Sequence, residues 1–541
     1  MNETKRSKAG QYDAVIVGAG VSGILMLYKL RQQGLKVIVI DGGEGPGGTW
    51  HWNRYPGARF DSESYTYGYS FSQELLEEWD WSEHFAGQPE TLRYLNYVVD
   101  RFDLRQYMQF GLTMESAAYQ LPTNSWELNL SDGCTLKTRF LCTALGMLSA
   151  ATLPNIPGRQ SFAGPAFHTY YWPHEPVQLA GKRVAVIGTG STGVQVISEI
   201  ADKVDSLTAF QRHPNWCAPL HNSSISKTEM QQIRSRYQEI FDLCRSTPSG
   251  FLHGPDRRAL ADVPVEERRA FWEALYASPG FGIWHGNFRD VLVEPAANAE
   301  FGAFMAEKIR QRVHDPVTAE KLIPRDHGFG MRRVPLETRY YEAYNHDHVR
   351  LVNVNDTPIE RIVPEGIQTT EELHEFDLIV YATGFDAITG SYDRIEITGR
   401  NGLKLADKWR HGPVTYLGTQ VHGFPNLFIL AGPQSASVST NFPRAIESSV
   451  EWTANFVAYL NQHGIETVEA TREAERAWCE HIKDGFDRSL LPLTKSWFTG
   501  YNSNVKGHET MRYMVYLFGA PAFRKRLADV AAHDYTGFHM Q

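Results

Sequence analysis

Residues 12–17 read YDAVIV and run directly into GAGVSG at 18–23; ILMLYKLRQQG follows as far as Gly34, and KVIVI at 36–40 delivers Asp41. An uninterrupted apolar strand, a glycine turn, a helix-period run and a second strand ending in a carboxylate are, in that order, the opening of a dinucleotide-binding βαβ unit. Gly18 permits the tight turn, Gly20 lets backbone approach a pyrophosphate, and Gly23 lets helix pack on strand. The helix N-terminus then faces the phosphates. Asp41 stands where a carboxylate accepts from a ribose hydroxyl. GxGxxG alone is a weak sign, because a plain tight turn can carry it. Here every part of the context is present.

The same opening returns at 182–201, KRVAVIGTGSTGVQVISEIA, with the loop Gly188, Thr189, Gly190, Ser191, Thr192, Gly193 after the strand Arg183 to Ile187. The position equivalent to Asp41 is Gln211, followed by Arg212, so no carboxylate closes this second unit. An acid would repel a ribose 2′-phosphate, whereas an arginine pairs with it through charge-assisted hydrogen bonds, so NADP rather than NAD is expected. The alternative is that Arg212 is an ordinary solvated arginine. One site with an acid and one with a base describe a flavin in the first and a nicotinamide reductant in the second, with hydride passing between them. The five cysteines (Cys134, Cys142, Cys217, Cys244, Cys479) form no CxxC pair. That disfavours a disulfide reductase, a zinc site and an oxidised scaffold, and leaves dioxygen as the next acceptor.

Composition excludes other classes. Lys plus Arg is 53 against 62 Asp plus Glu, a net charge of −9 with no cationic block, so no nucleic-acid partner is expected. The most apolar stretch, Ala14 to Tyr28, is shorter than the roughly 20 residues a membrane span needs, and no small-residue cleavage site follows it. A soluble, cytoplasmic protein without membrane partner is the expectation. A chain of 541 residues is ample for several domains.

Between the two units lies FAGPAFHTYYWP, with Phe162, Gly164, His168, Trp172 and Pro173. This resembles the FxGxxxHxxxWP fingerprint of the Baeyer-Villiger monooxygenases. The resemblance extends through GGTWHWNRYPGARFDSESYTYGYSF (Gly47 to Phe71), RVPLETRYYEAYN (Arg333 to Asn345), YATGFD (Tyr381 to Asp386), AGP (Ala431 to Pro433) and SWFTGYN (Ser496 to Asn502), hence through essentially the whole chain. RHPNWCAPL, SPGFGIW and EKIRQRVHDPVTAEKLIPRDH are similar to the branch containing the camphor-pathway trimethylcyclopentenylacetyl-CoA and phenylacetone monooxygenases. The likeness weakens in the Gln434 to Ala445 loop and near the C-terminus.

The resemblance implies an α/β protein with two Rossmann-like dinucleotide-binding domains, for FAD and NADP, and a helical insertion. The implied FAD-binding domain is 1–146 with 389–541, the NADP-binding domain 152–221 with 332–388, and the insertion 222–331. Within 222–331, Ser226 and Glu229 have capping-box spacing. Phe271 with Leu275, Trp272 with Tyr276, and Phe301, Met305, Ile309 and Val313 recur at four-residue intervals, read as core-facing stripes rather than a cofactor box.

The implied reaction is an NADPH-dependent flavoprotein monooxygenation in which a C4a-peroxyflavin attacks a ketone and an ester or lactone leaves. A negative peroxide must be held ionised and dry, which a fixed cation does best. By motif position Arg333 is similar to the family's catalytic arginine, and Asp61 to the carboxylate that orients it; an ordinary interdomain ion pair is the plainer alternative. Gly18, Gly20, Gly23, Asp41, Thr49, Trp50, Trp52, Asp61 and Tyr67 match flavin-binding positions. The 188–193 loop, Gln211, Arg212, Arg332, Arg333 and Trp497 match NADP positions. Many relatives have Lys at Arg332, and the point charge becomes a fork. No metal site is expected: His346 and His348 around Asp347 read as a solvated turn, and His168 as a hinge residue outside the catalytic set. Leu145 in CTALG, where relatives often read ATG, is expected to change only local packing. Ser435, Ala436 and Ser437 suggest room for a bulky or cyclic ketone, with Phe442 and Leu145 as apolar walls. The rival reading is an N- or S-oxygenating flavin monooxygenase; a redox-sensing NADPH-binding protein is the non-enzymatic one. The oligomeric state is open.

Overall fold

The computed structural model describes residues 10–436 and 440–541; Ser437 lies outside the described residues. Gly10–Val17 is the centre of the first sheet, parallel to Val37–Asp41 on one side (Val15 opposite Ile38) and to Thr135–Thr143 on the other (Val15 opposite Leu141). Its last four residues are buried on both faces, which explains the run of apolar residues without alternation. Met108–Phe110 closes one edge. The other extends antiparallel through Ser125–Leu130 and Met114–Gln120. Late in the chain, Leu427–Ile429 and Glu396–Thr398 return to join this sheet in parallel.

The helix Val21–Gln32 is apolar almost all round because it is covered twice, by the sheet and by the long helix Phe442–Gln462. Ile24, Leu27 and Leu30 share one core with Ile446, Val450 and Val457.

The second sheet is entirely parallel, in the order Val349–Asn353, Ser206–Gln211, Arg183–Ile187, Leu378–Tyr381, Ala166–His168. The two chain crossings between the sheets pair with each other. Thr152 donates to the Gly384 carbonyl (3.0 Å), and Asp386 to that of Ala150 (2.8 Å). The fingerprint sits on this junction: His168 Nε2 lies 3.1 Å from the Gly384 carbonyl, and its Nδ1 accepts from Tyr170 N at 3.1 Å. Burial pushes the His168 imidazole down to about 4, so it is neutral at working pH.

The 222–331 stretch is helical but serves two cores. Lys227–Ser235 and Tyr237–Ser246 bury Met230, Tyr237 and Phe241 in the core of the first sheet. Val265–Ala277 and Pro295–Arg312 bury Trp272, Phe301, Met305 and Ile309 in that of the second. The capping box at Ser226 is half made. Ser226 Oγ accepts from Glu229 N (3.2 Å), but the Glu229 carboxylate faces His84 instead (3.0 Å). Among the described residues, no helix is long and apolar enough to cross a membrane.

Candidate active site

Steric necessity explains most of the motif glycines. A Cβ on Gly18 would stand 2.3 Å from the Ala144 carbonyl oxygen, and one on Gly23 would stand 1.9 Å from that of Gly18. The second loop repeats this: Gly188 would meet the Ala382 oxygen at 2.4 Å and Gly193 the Gly188 oxygen at 2.0 Å. Gly190 differs, because a Cβ there would meet nothing within 4 Å. It opens the helix Ser191–Ile200, which, like Val21–Gln32, has no side-chain cap and no acid in its first turn. Both helices thus present bare N–H groups, the arrangement that receives phosphate. Asp41 is fixed at its strand end by Ala19 N and Gly43 N, each 2.7 Å from a carboxylate oxygen. Gly20 packs against Gly48, whose Cβ would lie 2.7 Å from the Gly20 Cα, so the Gly47–Thr49 turn links the first glycine loop to the site beyond it.

That site is a cavity of about 1850 Å³ walled by the segment 49–67, by the second sheet with its glycine loop, by the insertion and by the C-terminal segment. On one side Trp50, Phe60 and Tyr67 form an aromatic shelf. Tyr67 stacks on Phe60 (4.2 Å, 7°) and its hydroxyl accepts from the Trp50 indole at 2.8 Å. Thr49 lies beside it, and the loop Gly188 to Thr192 opens into the same space. A flat fused ring and a dinucleotide both suit these walls.

Between shelf and loop stand Asp61 and Arg333, with Arg333 Nη2 3.1 Å from Asp61 Oδ2. Asp61 is buried, and Arg333, 35% exposed, lies over Phe281 (4.8 Å to the ring centroid) and Trp284 (5.7 Å). Burial raises the Asp61 carboxyl above the ordinary aspartate range, and the neighbouring guanidinium opposes that rise without cancelling it. A permanently charged group therefore faces the cavity, tethered by a carboxylate that desolvation disfavours.

A groove of about 660 Å³ adjoins the cavity through Arg212, His213 and Pro214, with Lys321 and Arg325 also in its wall. Arg212 donates to Ser503 (3.0 Å), leaving its charge for an anion. Arg332 is paired with Asp326 at 2.9 Å, yet its Nε is buried without a partner. Asp326 also meets His213 (3.0 Å) and His327 (2.8 Å), and these hydrogen bonds hold its carboxyl far below the usual range despite partial burial. Trp497 faces the cavity from the C-terminal segment.

Some expected residues are not brought to the cavity. Trp52 stacks on Tyr170 (5.2 Å, 11°), and Gln211 is buried with its amide donating to the Lys321 carbonyl (2.7 Å). Ser435 and Ala436, in the loop after AGP, do not supply the expected room. Ser435 is buried and bonded to the Gly432 carbonyl (2.7 Å), and Ala436 is packed in the core of the first sheet, because the chain turns inward there. Leu145 packs against the opposite face of that sheet rather than the cavity. Phe442 does line it. Phe251, Phe281, Trp284 and His285, all from the insertion, supply apolar wall that the four-residue stripes did not reveal; the glycine-flanked GFGIWHG run at 280–286 was the only local signal.

His346 pairs with Asp202 (3.2 Å) and His348 with the Ala201 carbonyl (2.8 Å), so the triplet is tied to its own surroundings. A cluster with ligand-like spacing lies elsewhere, at Asp386, Asp393 and His508. Arg512, 3.4 Å from His508 Nε2, gives it a resident cation.

Residues 15–245 match a family profile described as pyridine nucleotide-disulphide oxidoreductase. The chain is 45% identical over 99% of its length to the complete 2-oxo-Delta(3)-4,5,5-trimethylcyclopentenylacetyl-CoA monooxygenase of Pseudomonas putida. It is 40% identical over 97% of its length to phenazine N-monooxygenase PhzNO1 of Lysobacter antibioticus, covering 96% of that protein. It is 38% identical over 99% to a Baeyer-Villiger monooxygenase of Pseudooceanicola batsensis, covering 97% of it. The solved structure of OTEMO in complex with FAD and NADP superposes with a TM-score of 0.95 at 45% identity, over 99% of this chain and 100% of that one.

Proposed function

Since this chain belongs to the Baeyer-Villiger monooxygenases, we propose that it uses FAD and NADPH to insert one atom of dioxygen beside a ketone carbonyl, giving an ester or lactone. The observation that carries the reading is the Asp61–Arg333 pair, set in one cavity with the Trp50–Phe60–Tyr67 shelf and the Gly190 loop.

Bound FAD, reduced by NADPH, supplies the activation of dioxygen. The chain's own groups do the rest. Gly18, Gly20 and the Val21–Gln32 N-terminus would hold the FAD pyrophosphate, Asp41 a ribose hydroxyl, and Thr49, Trp50 and Tyr67 the flavin end. The Gly188–Gly193 loop would hold the NADP pyrophosphate and Arg212 and Arg332 the 2′-phosphate, with Trp497 contributing to the same site. Arg333 keeps its proton throughout the cycle and stabilises negative charge on the oxygen being transferred and on the attacked carbonyl. Asp61 holds that guanidinium in place. Phe281, Trp284 and Phe442 keep the reacting centre dry, which strengthens the arginine's field.

The aromatic wall that Phe251, Phe281, Trp284 and Phe442 add beside Arg333 favours a bulky or cyclic ketone. A ketone panel turned over with isotopically labelled dioxygen, with products read by mass spectrometry, tests both parts. One labelled atom in an ester of a cyclic ketone is expected; turnover of small linear ketones alone would reject the substrate class.

The phenazine-oxidising relative favours a second reading, N-oxygenation. Arg333→Ala separates the two. Carbonyl oxygenation should be lost while NADPH-driven flavin reduction persists, whereas oxygenation of an aromatic nitrogen should survive.

A further inference from the structure

The short helix Gly282–His285 supplies Trp284, one of the two rings under Arg333, and it ends on a histidine that the mechanism above does not use. His285 lines the large cavity. Its ring is clamped between Trp284 (4.6 Å, 20°) and Phe251 (5.2 Å, 16°), with the edge of Phe281 at 5.7 Å and 68°. Three aromatic rings thus fix one imidazole plane. Among the described residues, neither of its nitrogens has a hydrogen-bond partner. His253, whose charge is felt at His285, is itself engaged by Glu63 Oε1 (3.1 Å).

Such a ring is costly to keep in an apolar wall unless something recovers its hydrogen bonds. Desolvation, with Arg333 and His253 adding to it, pushes the imidazole down to about 3. At working pH it is neutral, one nitrogen a donor and the other an acceptor. It therefore cannot duplicate the charge of Arg333. What it can do is bind an uncharged oxygen function, in a stretch of wall otherwise formed by the rings of Phe251, Phe281 and Trp284.

We propose that His285 is a specificity-determining residue that hydrogen-bonds a second oxygen function of the substrate, so that the preferred ketones are cyclic compounds also carrying a hydroxyl or a second carbonyl. This rests on the proposed reading of the cavity as the ketone site. Arg333 takes the reacting carbonyl, and His285 sets which end of the molecule turns toward it. A site built to satisfy a polar group discriminates strongly against the analogue lacking it, because its own group is then left unpaired.

The test is equilibrium binding to the FAD-loaded protein by calorimetry, using cyclic ketones offered as matched pairs with either a hydroxyl or a methyl on the ring carbon opposite the carbonyl. The wild type should favour the hydroxylated member of at least one pair roughly tenfold or more. His285→Phe, which keeps the ring stack, should erase that preference, and His285→Gln or His285→Asn should restore part of it according to which nitrogen is used. A wild type that prefers no hydroxylated member, or a His285→Phe variant with the wild-type preference ratio, overturns the proposal. Folding is controlled by NADPH-driven flavin reduction of each variant. Failure of the ketone-oxygenation reading would appear separately, as absence of labelled ester from wild-type protein whatever the binding ratios.

Discussion

Replacing Asp61 by Asn tests whether the tether on Arg333 serves catalysis or merely holds the two sheets together. The change preserves side-chain shape and removes only the charge facing the guanidinium at 3.1 Å. Unit charges about 4 Å apart attract by about 4 kcal/mol at an effective dielectric near 20. Because Arg333 is 35% exposed, solvent recovers much of this, leaving an orienting energy of about 1.5–3 kcal/mol. If that energy holds the arginine against the reacting oxygen, ester formation falls about 10- to 100-fold.

Stability should move the other way. The Asp61 carboxyl is raised by burial despite its partner, so the folded state holds the proton more tightly than the unfolded chain does. That contribution is fully present below the ordinary aspartate value and lost as pH rises through the raised one, which makes ionised Asp61 a cost at neutral pH. Asp61→Asn should therefore melt at or above the wild-type temperature at pH 7. The acid limb of the wild-type rate, displaced upward from the ordinary carboxylate position, should be missing from the variant. The assay is ester formation by gas chromatography beside stopped-flow flavin reduction and calorimetric melting. Ester formation within twofold of wild type, or a parallel loss of flavin reduction, would refute the catalytic tether. A fall of several degrees in melting temperature would refute the desolvation argument.

Arg212→Gln should raise the KM for NADPH about 10- to 100-fold while leaving that for NADH nearly unchanged, the loss of a charge-assisted contact to one phosphate; steady-state kinetics with both reductants decides it. The two second-loop glycines should separate. Gly193→Ala drives a Cβ to 2.0 Å from the Gly188 oxygen and should lower the melting temperature, whereas Gly190→Val fills open space and should spare stability while weakening NADPH binding. His168, held neutral down to about 4, binds a proton more weakly folded than unfolded. Its contribution is present above about pH 6.5 and fades as pH falls toward 4, by up to about 3 kcal/mol. His168→Gln should therefore show a shallower loss of melting temperature across that interval.

Much of this is legible in the sequence. Strand, turn, helix and acid at 12–41 are local events: their periodicity and glycine positions are set by neighbours within a few residues, and the strands Val37–Asp41 and Arg183–Ile187 lie where the pattern puts them. The pairing of Arg333 with Asp61 across 272 positions was accessible only through motif resemblance, since nothing in the spacing brings them together. Which residues wall the cavity was not written locally at all. Ser435 and Ala436 look like lining and are core, Trp52 turns to Tyr170, and Gln211 turns inward to Lys321. His285, apparently one more aromatic-rich helix residue, ends in the wall without a partner. A local pattern states that a side chain is apolar or polar, but the face it presents depends on which distant element covers it, and that is decided only when helices from 282–285 and 442–462 and the C-terminal segment close on the two sheets.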